Sequence, residues 1–240
     1  MNDAGLDECL NDCWETIRLN FRFLTLGHFF NALSKHHNLS RFSLDFVDVY
    51  VGSSVFYLSD EIICDCLQDI YSSPEQQSFF SYWTLIHSVR GIMMGVTEGM
   101  KNGQLKELVK QDIFKGDITK LRSFEAVTKF MRNVLSHNYR DQISMVEEDY
   151  AGQKRWWLKN MQSNTVEFKY NYSDKNSAIY IPEYTSARVD VVIDWNSLAP
   201  GTRYGDVVDT FQNLMMAEFC YNVFGTLHRK RNPEPSPNSG

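Results

Sequence analysis

No stretch of this chain is apolar enough for long enough to suggest a membrane span. The most apolar long run, IRLNFRFLTLGHFFNAL, still carries two arginines and a histidine, charges and polarity that a bilayer core disfavours. The opening MNDAGLDECLNDC lacks the order of basic, apolar and small residues that marks a secretory signal, so a reducing cytoplasm is the expected setting. Cysteine is scarce and odd in number: Cys9, Cys13, Cys64, Cys66 and Cys220. Neither close pair has C-x-x-C spacing or a following histidine pair, so no metal site and no disulfide framework are expected. There is no phosphate-binding glycine loop and no G-x-S-x-G elbow, and no cofactor is expected. Positive charge is also short. The formal net charge is −6, which argues against gripping nucleic acid over the whole surface and confines any such contact to a local basic cleft.

What is present is a hydrophobic content of 43% over 240 residues, enough to bury a substantial core. Leu6, Leu10, Trp14, Ile17, Phe21, Leu24 and Phe30 recur at three- to four-residue steps, predicting one long helix to about Ser34. HHNLSR reads as a loop, and a second helix is expected from Ser43 to Tyr71. SSPEQQ opens a third, with Ser73 as cap, Pro74 in the first turn and Gln76 three residues after the cap. In that helix Gly91, Gly95 and Gly99 share one face, each costing about 1 kcal/mol relative to alanine. Close approach of another helix would offset the cost, whether that helix belongs to the same chain or to a second subunit.

A fourth helical segment is expected from Leu121 to Ile143 and a last one from Asp206 to Leu227. Between them the period changes. TVEFKYNY and RVDVVIDW alternate in steps of two, and with AIYIP as a short strand they predict a small antiparallel β insertion at about 155–195. The fold class is therefore mainly α with that insertion. Residues 1–228 read as a single domain and 229–240, rich in Pro, Ser and Gly, as a flexible tail.

RNVLSHNYRD, residues 132–141, carries the candidate chemistry. With twelve arginines and six histidines, about one Arg-to-His spacing of this size is expected by accident, and RFLTLGH supplies a second. Adding Asn133 directly after the arginine and Tyr139 two after the histidine lowers the accidental expectation to the order of one in a thousand. The resulting R-N-x-x-x-H-x-Y on a late helix resembles the HEPN superfamily, and within it the HepT toxin branch.

That resemblance covers the helical part of the chain and implies an antiparallel HEPN-like helical bundle. It further implies a homodimer whose paired motifs line a cleft, and a metal-independent endoribonuclease of a toxin–antitoxin or antiviral defence system. Carried over, Arg132 and His137 are catalytic, with Asn133 in support. Tyr139 matches the tyrosine that a nucleotidyltransferase antitoxin modifies with AMP in the toxin branch. The chemistry fits the residue types. A histidine such as His137 is the residue type suited to proton transfer near neutral pH, and Arg132 presents a fixed fork of donors to the phosphoryl oxygens as the ribose 2′-hydroxyl attacks. DNA lacks that hydroxyl.

Phe124, Val127, Met131, Val134 and Leu135 form the expected core face of the motif helix. Arg132 and His137 lie about 140° apart around it, so either the helix starts or bends near Arg132 or a second copy faces it. Arg140 and the KRWWLK run, with Lys154, Arg155 and Trp156, are further candidates for contacting RNA, although adjacent tryptophans also suit a strand divided between core and surface. The competing expectation is a HEPN-like dimer without catalysis, serving as a binding or assembly module for a protein or nucleotide partner.

Overall fold

The computed structural model describes residues 3–36, 47–51, 54–58, 65, 68–69, 73–137, 143–183 and 188–233. Over these the chain is mainly helical, with small antiparallel sheets. Its contacts divide it into two compact units, Phe23–Leu85 on the one hand and Met1–Arg22 with Ile86–Gly240 on the other.

The Phe23–Leu85 unit holds the later part of α1 (Asp3–His36), strands β1 (Val47–Val51) and β2 (Ser54–Leu58), and the start of α2 (Pro74–Gly99). The strands correct the first part of the helix expected over Ser43–Tyr71; Asp65, Gln68 and Asp69 are helical, and the rest of that range lies outside the described residues. Val47, Val49 and Val51 pair with Leu58, Phe56 and Ser54 in an antiparallel hairpin. Such β-branched and aromatic side chains lose rotamer freedom in a helix and fit a pleated surface, and Gly-Ser between them is a hairpin dipeptide. The α2 start matches expectation, with the Gln76 amide donating to Ser73 Oγ at 3.2 Å.

In the larger unit the glycine stripe of α2 meets α1. A Cβ on Gly91 would overlap the Asn20 amide, one on Gly99 would come within 2.7 Å of Cys13 Sγ, and one on Gly95 within 3.1 Å of Thr16. Close crossing inside one chain thus accounts for the stripe. The Cys13 thiol donates to the Gly95 carbonyl at 3.1 Å across this contact. Burial pushes the thiols of Cys13 and Cys220 far up from their ordinary value, and reactivity follows the thiolate. At pH 8 the two should react with an aromatic disulfide reagent orders of magnitude more slowly than after unfolding in guanidinium. Reaction at free-thiol rates would mean that the crossing opens readily.

After α2, Asn102 caps α3 (Gly103–Leu108) by accepting from Gln104 N and Leu105 N at 2.9 and 3.1 Å. The helix continues as a single π turn, Val109–Ile113, and closes on Lys115 and Gly116 at positive φ. Asp117 then caps α4 (Ile118–His137) through the amides of Thr119 and Lys120. Residues 138–142 lie outside the described residues, and by Ile143 the chain is already extended: Ile143 and Met145 pair with the 201–204 backbone.

The β insertion starts later than expected. Residues 147–161 form α5 (Glu147–Met161), whose first turn is acidic and whose Asp149 carboxylate accepts from Val146 N at 2.9 Å, a favourable charge at a helix start. KRWWLK is therefore helical. Strands β3 (Thr165–Asn171) and β4 (Arg188–Asp194) form the sheet, Val166 opposite Ile193 and Phe168 opposite Val191. AIYIP is not a strand; Ile179 N instead donates to the Tyr170 hydroxyl. The last helix, α6 (Thr210–Arg231), is boxed by Asp209 and Gln212 and runs past Leu227 to pair Lys230 with Asp112 and Arg231 with Asp7. Its Phe219 lies at the centre of the core, with ring centroids 5.6 Å from Phe124, 5.3 Å from Phe168 and 4.6 Å from Tyr170. Among the described residues no helix is long and apolar enough to cross a membrane.

Candidate functional site

α4 is divided lengthwise. Phe124, Val127, Met131, Val134 and Leu135 are buried, as the sequence predicts. The opposite face, Arg122, Glu125, Ala126, Lys129, Arg132 and Asn133, recurs at steps of three and four and forms one wall of a cavity of about 520 Å³. Thr97 near the end of α2, Lys101 in the turn that follows and Lys106 from α3 form a second wall, and Gln153 and Trp156 of α5 a third. Five cations (Lys101, Lys106, Arg122, Lys129, Arg132) thus face one lining carboxylate, Glu125, in a chain whose formal charge is −6.

Arg132 is held from two sides. Its Nε and Nη2 donate to Asn133 Oδ1 at 3.2 and 2.9 Å, and Nη1 lies 3.7 Å from Glu98 Oε1. Asn133 in turn donates through Nδ2 to the Asp149 carbonyl in the first turn of α5, at 3.2 Å. Glu98 also accepts from Lys101 at 2.6 Å, and that hydrogen bond, with the charges of Lys101 and Arg132, holds its carboxyl below the usual range. Lys106 pairs with Glu125 at 2.6 Å. Arg122 contacts Met161 Sδ at 3.5 Å, and Lys129 makes no ion pair among the described residues. The pocket therefore presents donors and positive charge to a polyanion, with two cations not neutralised by a carboxylate.

Of the residues singled out in the sequence, Arg132, Asn133 and Trp156 line this cavity. Lys154 does not: its ammonium donates to the Trp195 carbonyl at 2.7 Å, tying α5 to the end of β4. Arg155 is exposed away from the cavity. The physical reason is that KRWW is helical, so successive side chains leave the axis about 100° apart and cannot form one patch. Trp157 is buried and Trp156 exposed, a division between core and surface made by a helix rather than by a strand. His137 is the last residue of α4, with its side chain outside the described residues, where Tyr139 and Arg140 also lie.

Lys101, Lys106, Arg122 and Lys129 were not among the expected site residues. The stripe Arg122, Glu125, Lys129, Arg132 is readable as a polar helix face. Lys101 and Lys106 join it only through the turn between α2 and α3. Among the described residues no group of three or more His, Cys, Asp or Glu is placed to hold a metal ion. No family model matches the chain, and neither a curated protein nor a solved structure does.

Proposed function

We propose that this chain is a HEPN-type endoribonuclease that cuts RNA without metal by attack of the ribose 2′-hydroxyl on the adjacent phosphate. The observation that carries the reading is the position of Arg132, fixed by Asn133 on the wall of a cationic cavity. In that setting its guanidinium meets the charge that develops on the phosphoryl oxygens, and His137 exchanges the proton.

Helix geometry favours a second copy facing the motif over a single helix carrying the whole site. α4 neither starts nor breaks near Arg132, so positions 132 and 137 remain about 140° apart. The arc between them contains Lys129 and Asn133, which puts both positions at margins of the cavity face rather than of the core face. The guanidinium also leans inward along that arc, toward Asn133. A homodimer in which two such faces meet would complete the site, and an acidic chain with a basic cavity beside Arg132 suits a toxin–antitoxin or antiviral role in which RNA is the target. A nucleotidyltransferase partner acting on Tyr139 belongs to the same reading.

The test is cleavage of end-labelled RNA by the full chain in the presence of a chelator, with products ending in 2′,3′-cyclic phosphate. Arg132→Ala and His137→Ala should each slow it by about 100-fold or more, and DNA of the same sequence should survive. Absence of cleavage by the unmodified chain, or cleavage unchanged in both variants, overturns the proposal. Metal-independent binding without cleavage would instead favour a HEPN-like binding module.

A further inference from the structure

We infer that the cavity beside Arg132 is a subsite for one unpaired nucleotide of a single-stranded RNA, its base stacked on Trp156 and its flanking phosphates on Arg122 and Lys129. The inference rests on the reading that RNA is the ligand, and goes beyond it in naming which part of RNA is held and by which residues.

Three observations meet in the cavity. First, Trp156 is 49% exposed although the adjacent Trp157 is 2% exposed and anchored through Nε1 to the Thr165 carbonyl at 3.2 Å. A large apolar ring left at the wall of a cationic cavity is a stacking platform, tolerant of sequence because every base has a π face. Second, Arg122 and Lys129 lie on the α4 wall without carboxylate partners among the described residues, whereas Lys106 is neutralised by Glu125, and Arg132 and Lys101 share Glu98. Two unneutralised cations about two helical turns apart are where backbone phosphates would release most counterions.

Third, Gln153 lies one turn before Trp156 on the α5 wall and has its amide fixed by Nε2 donating to the Ala126 carbonyl. Its Oε1 is consequently left buried without a hydrogen-bond partner. An unpaired buried acceptor is costly; sealed from the cavity as it stands, it would meet a base N–H only on turning of the Gln153 side chain, which gives that turn a driving force. The volume, about 520 Å³, lies within the range of small-ligand sites of about 300–1,000 Å³ and suits a nucleotide rather than a duplex. In a duplex, moreover, no base face is free to stack on a side chain.

Binding is measured on the full chain by fluorescence anisotropy with a 2′-O-methylated 12-mer, which has no hydroxyl to attack, beside the same sequence as a duplex and AMP as a competitor. Trp156→Ala should weaken single-strand binding roughly tenfold or more, and Trp156→Phe should retain most of it. Arg122→Gln and Lys129→Gln should each lower the slope of log K against log salt by about 0.7. Arg155→Gln, off the cavity on the same helix, should change affinity little. Duplex binding as tight as single-strand binding, or equal affinity of the Trp156→Ala and Trp156→Phe variants and the unmodified chain, overturns the inference. AMP displacing the 12-mer at its own low concentration also overturns it, in favour of a free-nucleotide site. Because the 12-mer cannot be cut, binding that depends on Trp156 without cleavage of ordinary RNA sinks the nuclease and leaves the subsite. Cleavage that depends on Arg132 but not on Trp156 does the reverse.

Discussion

Replacing Phe219 with alanine is expected to destabilise the larger unit by about 3–5 kcal/mol, a large share of the roughly 5–15 kcal/mol that holds a typical domain folded. The ring is fully buried and contacts Phe124 of α4 and Phe168 and Tyr170 of β3. Its loss removes both the transfer free energy of the ring and the packing of the aromatic neighbours around the hole it leaves, Phe114 and Tyr172 among them. Phe211, at the exposed start of the same helix at 59% exposure, supplies the internal comparison, since its alanine variant should stay within about 0.5 kcal/mol. Guanidinium unfolding followed by circular dichroism measures both. The Phe219→Ala midpoint should fall with an unchanged slope, and a loss below about 1 kcal/mol would mean that α6 and β3 do not share one core.

If the chain cuts RNA as proposed, Arg132→Lys is expected to reduce cleavage by about 100- to 1,000-fold while weakening RNA binding only a few-fold, the loss typical of removing one oriented donor from a developing oxyanion. Lysine keeps the charge. It does not keep the planar fork whose Nε and Nη2 both donate to Asn133 Oδ1 while Nη1 stays near Glu98. A compact ammonium on a flexible stem would be drawn to Glu98, already bonded to Lys101, leaving the Asn133 oxygen without its donor pair. Single-turnover rates with saturating enzyme separate the two effects. Equal losses in binding and in rate would mean that Arg132 contributes charge alone.

The helices were legible where periodicity is long and caps are explicit: Ser73 before Pro74, the 3.6-step stripe of α1, and the core face of α4. Strand periodicity in Val166–Tyr170 and Val189–Ile193 was also clear, because alternation over seven residues leaves little ambiguity. The β1–β2 hairpin was missed because each strand is five residues long and its valines and aromatics also satisfy steps of three and four. α5 was hidden for the opposite reason: Trp156 and Trp157 favour strand by composition, although the acidic first turn at Glu147–Asp149 suits a helix start. At the site, Arg132 and Asn133 came from local sequence. Lys101 and Lys106 depend on α2 and α3 folding back on α4, a tertiary fact with no local signature.

Asn133 uses both ends of one amide, accepting from Arg132 and donating to the Asp149 carbonyl. This makes it a joint rather than a reactant. Rotating the amide by 180° would set donor against donor and acceptor against acceptor, so the side chain has one working orientation. Aspartate would keep the guanidinium and lose α5, and serine is too short to span both. The arginine's aim and the seating of the helix that carries Trp156 are therefore coupled: a ligand that shifts α5 pulls on the amide that orients Arg132.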